Sequence, residues 1–234
     1  MQRFYTARIE NGFAYFEEEE ARHIVQVLRR KIGEVLHFVD GKGGLYEGQI
    51  EETGKKLCVL SIQKAAQPYT EVARRHIAIA PTKNIGRFEW FLEKATEIGV
   101  DEITPLLCQR SERQRLRPER LNKILIAAMK QSLRTYLPKL HPLTPFAELL
   151  KQSQHYEQCF IAHCGDGPIG PLRQKYQPGK SVLVLIGPEG DFSPEEVQLA
   201  LDQGLEPVGL GDFRLRTETA GITACHTINL LLNQ

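Results

Sequence analysis

The run Val182–Ile186, V-L-V-L-I, is five apolar residues without a polar break, and it leads straight into G-P-E-G-D-F-S-P-E-E. A run of this length and composition fits a short strand covered on both faces, as in a parallel sheet. Gly187-Pro188-Glu189-Gly190 must then be a loop, because glycine and proline interrupt regular structure. Ser193 predicts a helix N-cap, with Pro194 at the first position and Glu196 completing a capping box. Val197, Ala200 and Leu201 give that helix its apolar stripe, and Gly204 ends it. Glu206–Leu210 predicts the next strand, and Gly211 opens a second loop. Thr217 or Thr219 caps a final helix, whose Ala224, Cys225, Ile228, Leu231 and Leu232 share a face open to a partner subunit. In open α/β sheets, ligands bind in the crevice beyond the carboxyl ends of the strands. Glycine there lets a ligand approach the backbone, although ordinary strand-to-helix turns also carry Gly, Pro and Ser.

From His76 onward the pattern alternates strand and helix, the mark of an α/β domain with parallel strands. Strands are predicted at 77–81, 103–107, 159–163, 182–187 and 206–210. One helix presents Phe88, Phe91, Leu92, Ala95 and Ile98 on one face, with Lys83, Arg87 and Lys94 turned either to RNA or to water. A second is predicted near Pro118–Tyr136, and Thr144-Pro145 starts a brief third. Residues 1–70 read as mainly β, with strands at 35–40, 45–51 and 57–62, a hairpin turn at Gly41–Gly44 and a short helix between Glu17 and Leu28. Short strands around one small helix suggest a compact barrel. The stretch Gln63 to Arg75 loses periodicity and contains Pro68, so the linker is expected there, dividing the chain into domains 1–72 and 73–234.

The net charge of +1 hides an uneven distribution. Residues 71–140 carry 14 Lys and Arg against 8 Asp and Glu, whereas residues 141–234 carry 6 against 11. A basic middle suits a polyanion, since Lys and Arg neutralise phosphates, but long helices also carry charge to stay solvated. Arg110, Arg113, Arg115, Arg117 and Arg120 are too densely placed to be structural throughout. In the N-terminal part Arg3, Arg22, His23, Arg29, Arg30 and Lys31 are candidate RNA contacts. The five cysteines lack disulfide-like spacing, and no apolar run approaches the roughly 20 residues of a membrane span, so a cytoplasmic protein is expected. Cys159, His163, Cys164 and His226 contain no C-x-x-C pair, and no metal is expected. Neither G-x-S-x-G, nor a P-loop, nor G-x-G-x-x-G is present.

The pair G-P-E-G-D-F-S-x-x-E and L-G-x-x-x-L-R-T-E-T-A resembles the knotted SPOUT methyltransferases, and more narrowly the RsmE family. Arg22-His23-Ile24, the stretch 87–100 and Gln131-Ser132-x-Arg134-x-x-x-Pro138 are similar to the same family. Asp191 departs from it where a second glycine is usual, and so does Asp212-Phe213-Arg214. The resemblance implies a C-terminal trefoil-knot α/β domain behind an N-terminal PUA-like β-barrel. It implies S-adenosylmethionine as cofactor, N3 of a uridine in 16S rRNA or the small ribosomal subunit as substrate, and a homodimer paired through the knot domains. The cofactor is expected against Leu185, Gly187, Pro188, Glu189 and Gly190 in the first loop. In the second it is expected against Leu210, Gly211, Leu215, Arg216, Thr217 and Ala220. Arg216, Glu189 and Glu218 are the catalytic candidates, with the two carboxylates alternatively holding loop N–H groups. Arg134 joins the RNA-contact candidates. The alternative is a non-catalytic RNA-binding scaffold on the same fold, which calorimetry with S-adenosylmethionine separates from an enzyme.

Overall fold

The computed structural model describes residues 2–67, 73–165 and 169–232, and the chain divides into two compact units. The first comprises residues 1–70 together with 126–137. Its strands are β1 (Phe4–Tyr5), β2 (Ile9–Glu10), β3 (Phe13–Glu17), β4 (Val35–Val39), β5 (Leu45–Thr53) and β6 (Leu57–Ala66). They form one sheet in the order β1-β4-β5-β6-β3-β2. Its two edge strands, β1 and β2, are separated by only three residues of chain, so the sheet must curl round on itself. Alternate residues then point inward, and Phe4, Ala14, Phe16, Leu36, Phe38, Ile50 and Leu60 fill the interior. Phe16 meets Phe38 edge-on at 5.4 Å, which fixes two strands against each other.

The predicted helix after β3 is α1 (Glu18–Arg22), running into a single π-helical turn, His23–Val27. Ile24 is buried, whereas Val27 is 65% exposed. The β4–β5 hairpin carries left-handed Gly41 and Gly43, and Asp40 accepts the N–H groups of Lys42 and Gly44. The linker expectation is corrected at its start. Residues 63–66 form the end of β6, with 64–66 paired to β5, while Pro68 to Val72 lie outside the described residues.

The second unit comprises residues 71–125 and 138–234. The strands are β7 (Arg75–Ile79), β8 (Glu102–Leu107), β9 (Lys139–Leu140), β10 (Thr144–Pro145), β11 (Gln158–Ala162), β12 (Val182–Ile186) and β13 (Glu206–Val208). All pair in parallel, in the order β10-β8-β7-β12-β11-β13, with β9 beside β8. The helices that begin in it are α2 (Ile85–Ile98), α3 (Pro118–Gln131, whose residues from 126 on belong to the first unit), α4 (Phe146–Leu150), α5 (Leu172–Lys175), α6 (Pro194–Asp202) and α7 (Thr217–Leu232). This unit is an α/β domain built on an all-parallel sheet.

Local chemistry sets the ends of these helices. Asn84 caps α2 through the N–H of Gly86, and Gly99 at φ +130° stops it. Ser193 and Glu196 form the reciprocal capping box of α6. The helix predicted near 118–136 ends at Gln131, where Leu133 turns left-handed at φ +58°. α7 begins at Thr217, the Arg216 carbonyl accepting the Ala220 N–H. The apolar face of α7 assigned to a partner is corrected for three of its five residues: Ala224, Cys225 and Ile228 are buried within this unit, where α7 packs on α2, β7 and β12, while Leu231 and Leu232 are half-buried. Leu230, on the other side, is 52% exposed. No helix among the described residues is long and apolar enough to cross a membrane.

Candidate functional site

β11, β12 and β13 lie side by side and parallel, so their carboxyl ends open onto one edge of the sheet. The sequence pointed to two strand ends there; the structure supplies three. A cleft of two lobes sits beyond them. The larger, about 520 Å³, is walled by residues 162–165 after β11, by Ile169, and by residues 208–215 after β13, with Ala220 of α7. The smaller, about 260 Å³, lies between the loop from Ile186 to Glu189 with Asp191 and the segment 214–218, with Arg87 of α2. Cavities of this size take a small organic ligand.

The loop after β12 depends on its first and last residues. A Cβ on Gly187 would meet the Phe192 ring at 3.1 Å and the Phe192 nitrogen at 3.2 Å, so glycine lets the loop fold back on itself. Asp191 adopts φ +61°, a left-handed conformation that Asp tolerates better than most residues. Its carboxylate accepts the N–H of Phe192 at 2.8 Å and that of Cys164 at 2.9 Å. The departure from glycine therefore has a structural use, tying the loop after β12 to the loop after β11.

Three more side chains brace the same edge. Glu189 Oε1 accepts the Lys83 N–H at 2.9 Å, one of the two roles left open for it. Arg113 donates to the carbonyls of Thr82 at 3.0 Å and Lys83 at 2.5 Å. Arg110 donates to the carbonyls of Gly190 at 2.7 Å and Phe192 at 3.3 Å. Two arginines expected to hold RNA thus hold the loops of the cleft. Glu218 is buried at the start of α7, its Oε1 3.7 Å from Arg87 Nε. Arg216 is exposed on the wall of the smaller lobe.

Of the cofactor candidates, Gly187, Pro188, Glu189, Leu210, Gly211, Leu215, Arg216, Thr217 and Ala220 line the two lobes. Leu185 does not; it is wholly buried in the core under the sheet. Gly190 does not line them either, and a Cβ there would meet only the Arg110 side chain at 3.5 Å. Sequence reasoning missed Ala162, Cys164 and Ile169, which lie at or beyond the end of the predicted strand at 159–163, and noted Asp191 only as a departure from the family glycine.

The remaining RNA candidates are dispersed. Arg3 donates to the Leu133 carbonyl, Arg30 pairs with Glu34, and His23 is half-buried edge-on to Phe4. Arg22 and Arg29 are exposed, and Arg134 is half-buried. Lys83 pairs with Glu112, Lys94 with Glu93 and Glu97, and Arg120 with Glu89. Arg115 and Arg117 are exposed.

Known proteins show the same organisation. Residues 70–229 match the family described as the RNA methyltransferase domain, and residues 16–63 match the RNA methyltransferase PUA domain. The chain is 28% identical over 224 residues to ribosomal RNA small subunit methyltransferase E of Bacillus subtilis, covering 90% of this chain and 87% of that one. It is 32% identical over 227 residues to the protein of that name in Synechocystis, with 91% and 71% covered. Among solved structures, a Porphyromonas gingivalis protein described as a probable rRNA-methyltransferase superposes with a TM-score of 0.91 at 40% identity, covering 100% and 99%. A methyltransferase of Legionella pneumophila, solved with its cofactor SAM, gives 0.86 at 28% identity, covering 97% and 96%.

Proposed function

Because the chain belongs to the ribosomal RNA small subunit methyltransferase E family, the RsmE branch of the SPOUT RNA methyltransferases, we propose that it methylates N3 of a uridine in 16S rRNA. It is an S-adenosylmethionine-dependent enzyme. The observation that carries the reading is the two-lobed cleft, walled by both motifs of the resemblance and aligned by three parallel strand ends.

The residues present fit the cofactor. The larger lobe offers apolar walls from Ala162, Ile169, Val208, Leu210 and Leu215 beside open backbone at Gly209 and Gly211, a setting for a flat heterocycle. The smaller lobe carries Glu189, Arg216 and Glu218. When bound, the cofactor supplies an electrophilic methyl group on a sulfonium centre. N3 of uracil is an imide nitrogen and must lose its proton, to solvent reaching the open cleft, as its bond to carbon forms. Negative charge then spreads to O2 and O4, where a fixed guanidinium is stabilising. Arg216, on the wall of the smaller lobe, is the candidate for that role. Glu218, buried and facing Arg87, holds the start of α7, and Glu189 is engaged in bracing Lys83. Pairing of two copies through the knot domains belongs to the same proposal, and exposed Leu230 on α7 supports it.

The direct test is incubation with unmodified 16S rRNA, free and in small subunits, with methyl-labelled S-adenosylmethionine, followed by mapping of the label. Label on uracil N3 is the expected result. Absence of both cofactor binding and transfer to either substrate would return the protein to the scaffold reading.

A further inference from the structure

At the opposite end of the sheet, away from the cleft, three titratable side chains from distant parts of the chain converge. His76 on β7 stands in register with Glu102 on β8, and Lys139 of β9 pairs with Glu102 from the other side. His141 follows β9 directly, its N–H held by the Ile103 carbonyl at 2.9 Å. Three neighbouring strands therefore fix three backbone positions around one point. His141 Nε2 lies 2.7 Å from Glu102 Oε2, and the two imidazoles stack with centroids 5.3 Å apart.

We propose that His76, Glu102 and His141 bind one divalent transition-metal ion, zinc being the ion that two imidazoles and a carboxylate fit best. Among the described residues, this is the one group of three or more such side chains whose donor atoms all lie within 4.8 Å of one another. A tetrahedral zinc with bonds of about 2.1 Å spaces its ligands about 3.4 Å apart, so modest side-chain rotations complete the site. His76 is held at Nδ1 by the Tyr156 hydroxyl and at Nε2 by the Thr104 hydroxyl, each at 2.7 Å. When one ring nitrogen takes the ion, the hydroxyl at the other orients the ring, as outer-shell partners of metal-bound histidines do. Arg74 stands 3.6 Å from Glu102 Oε1, the oxygen that His141 does not share. Its guanidinium opposes a nearby cation, but it is 43% exposed and can turn to solvent. The His141 side chain is 20% exposed and that of Glu102 11%, which leaves a path for the ion and a position for water.

The test uses purified protein stripped of metal and titrated with zinc chloride alone, by calorimetry and by thermal unfolding. One equivalent should bind, and the melting temperature should rise with zinc concentration. His141→Ala and Glu102→Gln should each weaken zinc binding by at least about tenfold, with S-adenosylmethionine affinity unchanged because the cleft lies at the other end of the strands. Should His141→Ala fail to fold, the nearly isosteric Glu102→Gln carries the comparison, and cobalt absorption in the visible reports the coordination directly. No binding at about 100 µM zinc, or equal zinc affinity in wild type and variants, would overturn the assignment.

Discussion

Replacing Gly221 with alanine should destabilise the protein, although helix propensity alone predicts the opposite. Gly221 lies in the second turn of α7, and a Cβ there would sit 2.7 Å from Ile79 Cδ1 and 2.7 and 2.9 Å from two ring carbons of Phe91. Such contacts fall below the separations real Cβ atoms show, and both neighbours are wholly buried. Alanine gains about 1 kcal/mol over glycine in a helix interior. Overpacking a filled core costs about 1–3 kcal/mol, and three contacts this short belong in the upper half of that range. The difference is a net loss of about 1–2 kcal/mol, or about 2–8 °C in a chain of this size. Chemical denaturation of wild type and Gly221→Ala, without cofactor, measures it. Phe91→Leu makes room for the new methyl, so the double mutant should recover at least about 0.5 kcal/mol relative to additivity. A Gly221→Ala protein as stable as wild type, or more stable, would refute the packing argument.

Arg216→Ala should lower kcat by roughly a hundredfold or more while cofactor affinity holds, the loss of one preorganised donor being worth about 3 kcal/mol; normal kcat with a raised KM would make Arg216 a substrate-holding residue instead. Arg115→Gln with Arg117→Gln should reduce the salt dependence of RNA binding by about two units of slope and leave cofactor binding alone. Arg110→Gln, by contrast, should weaken S-adenosylmethionine binding through the Gly190 and Phe192 carbonyls, as read by calorimetry. Leu230→Glu should shift sedimentation towards monomer without loss of helix content; an unchanged sedimentation coefficient would place the dimer contact elsewhere.

Local signals were legible because the residues that make them are adjacent. Ser193, Pro194 and Glu196 predict the start of α6, and the structure has the capping box they imply. The apolar run 182–186 predicts a strand covered on both faces in a parallel sheet, and all five residues of β12 are buried, with parallel β7 and β11 beside it. What the sequence concealed depends on pairs far apart in the chain. Nothing local distinguishes Arg110 and Arg113, which grip carbonyls 80 and 31 residues away, from exposed Arg115 and Arg117. A departure from a family glycine at Asp191 is interpretable only once Cys164 is beside it. The face of α7 misread as a subunit contact had the right apolar spacing, but spacing does not say whose core it enters. His76, Glu102 and His141 likewise show no motif spacing, since sheet register alone brings them together.

The arginine braces have a thermodynamic consequence. Arg110 Nη1 holds the Gly190 carbonyl, and that N–H cannot at the same moment serve a phosphate oxygen. A polyanion that drew this guanidinium away would remove its bonds to the Gly190 and Phe192 carbonyls. Linkage is reciprocal: whatever factor the polyanion takes from cofactor affinity, bound cofactor takes from polyanion affinity. Arg113, spanning the carbonyls of Thr82 and Lys83, extends the same exchange to the segment that Glu189 grips. Arg115 and Arg117 can neutralise phosphate without disturbing either loop. A stretch of eight residues thus contains two kinds of positive charge, one engaged with loop carbonyls and one exposed to solvent.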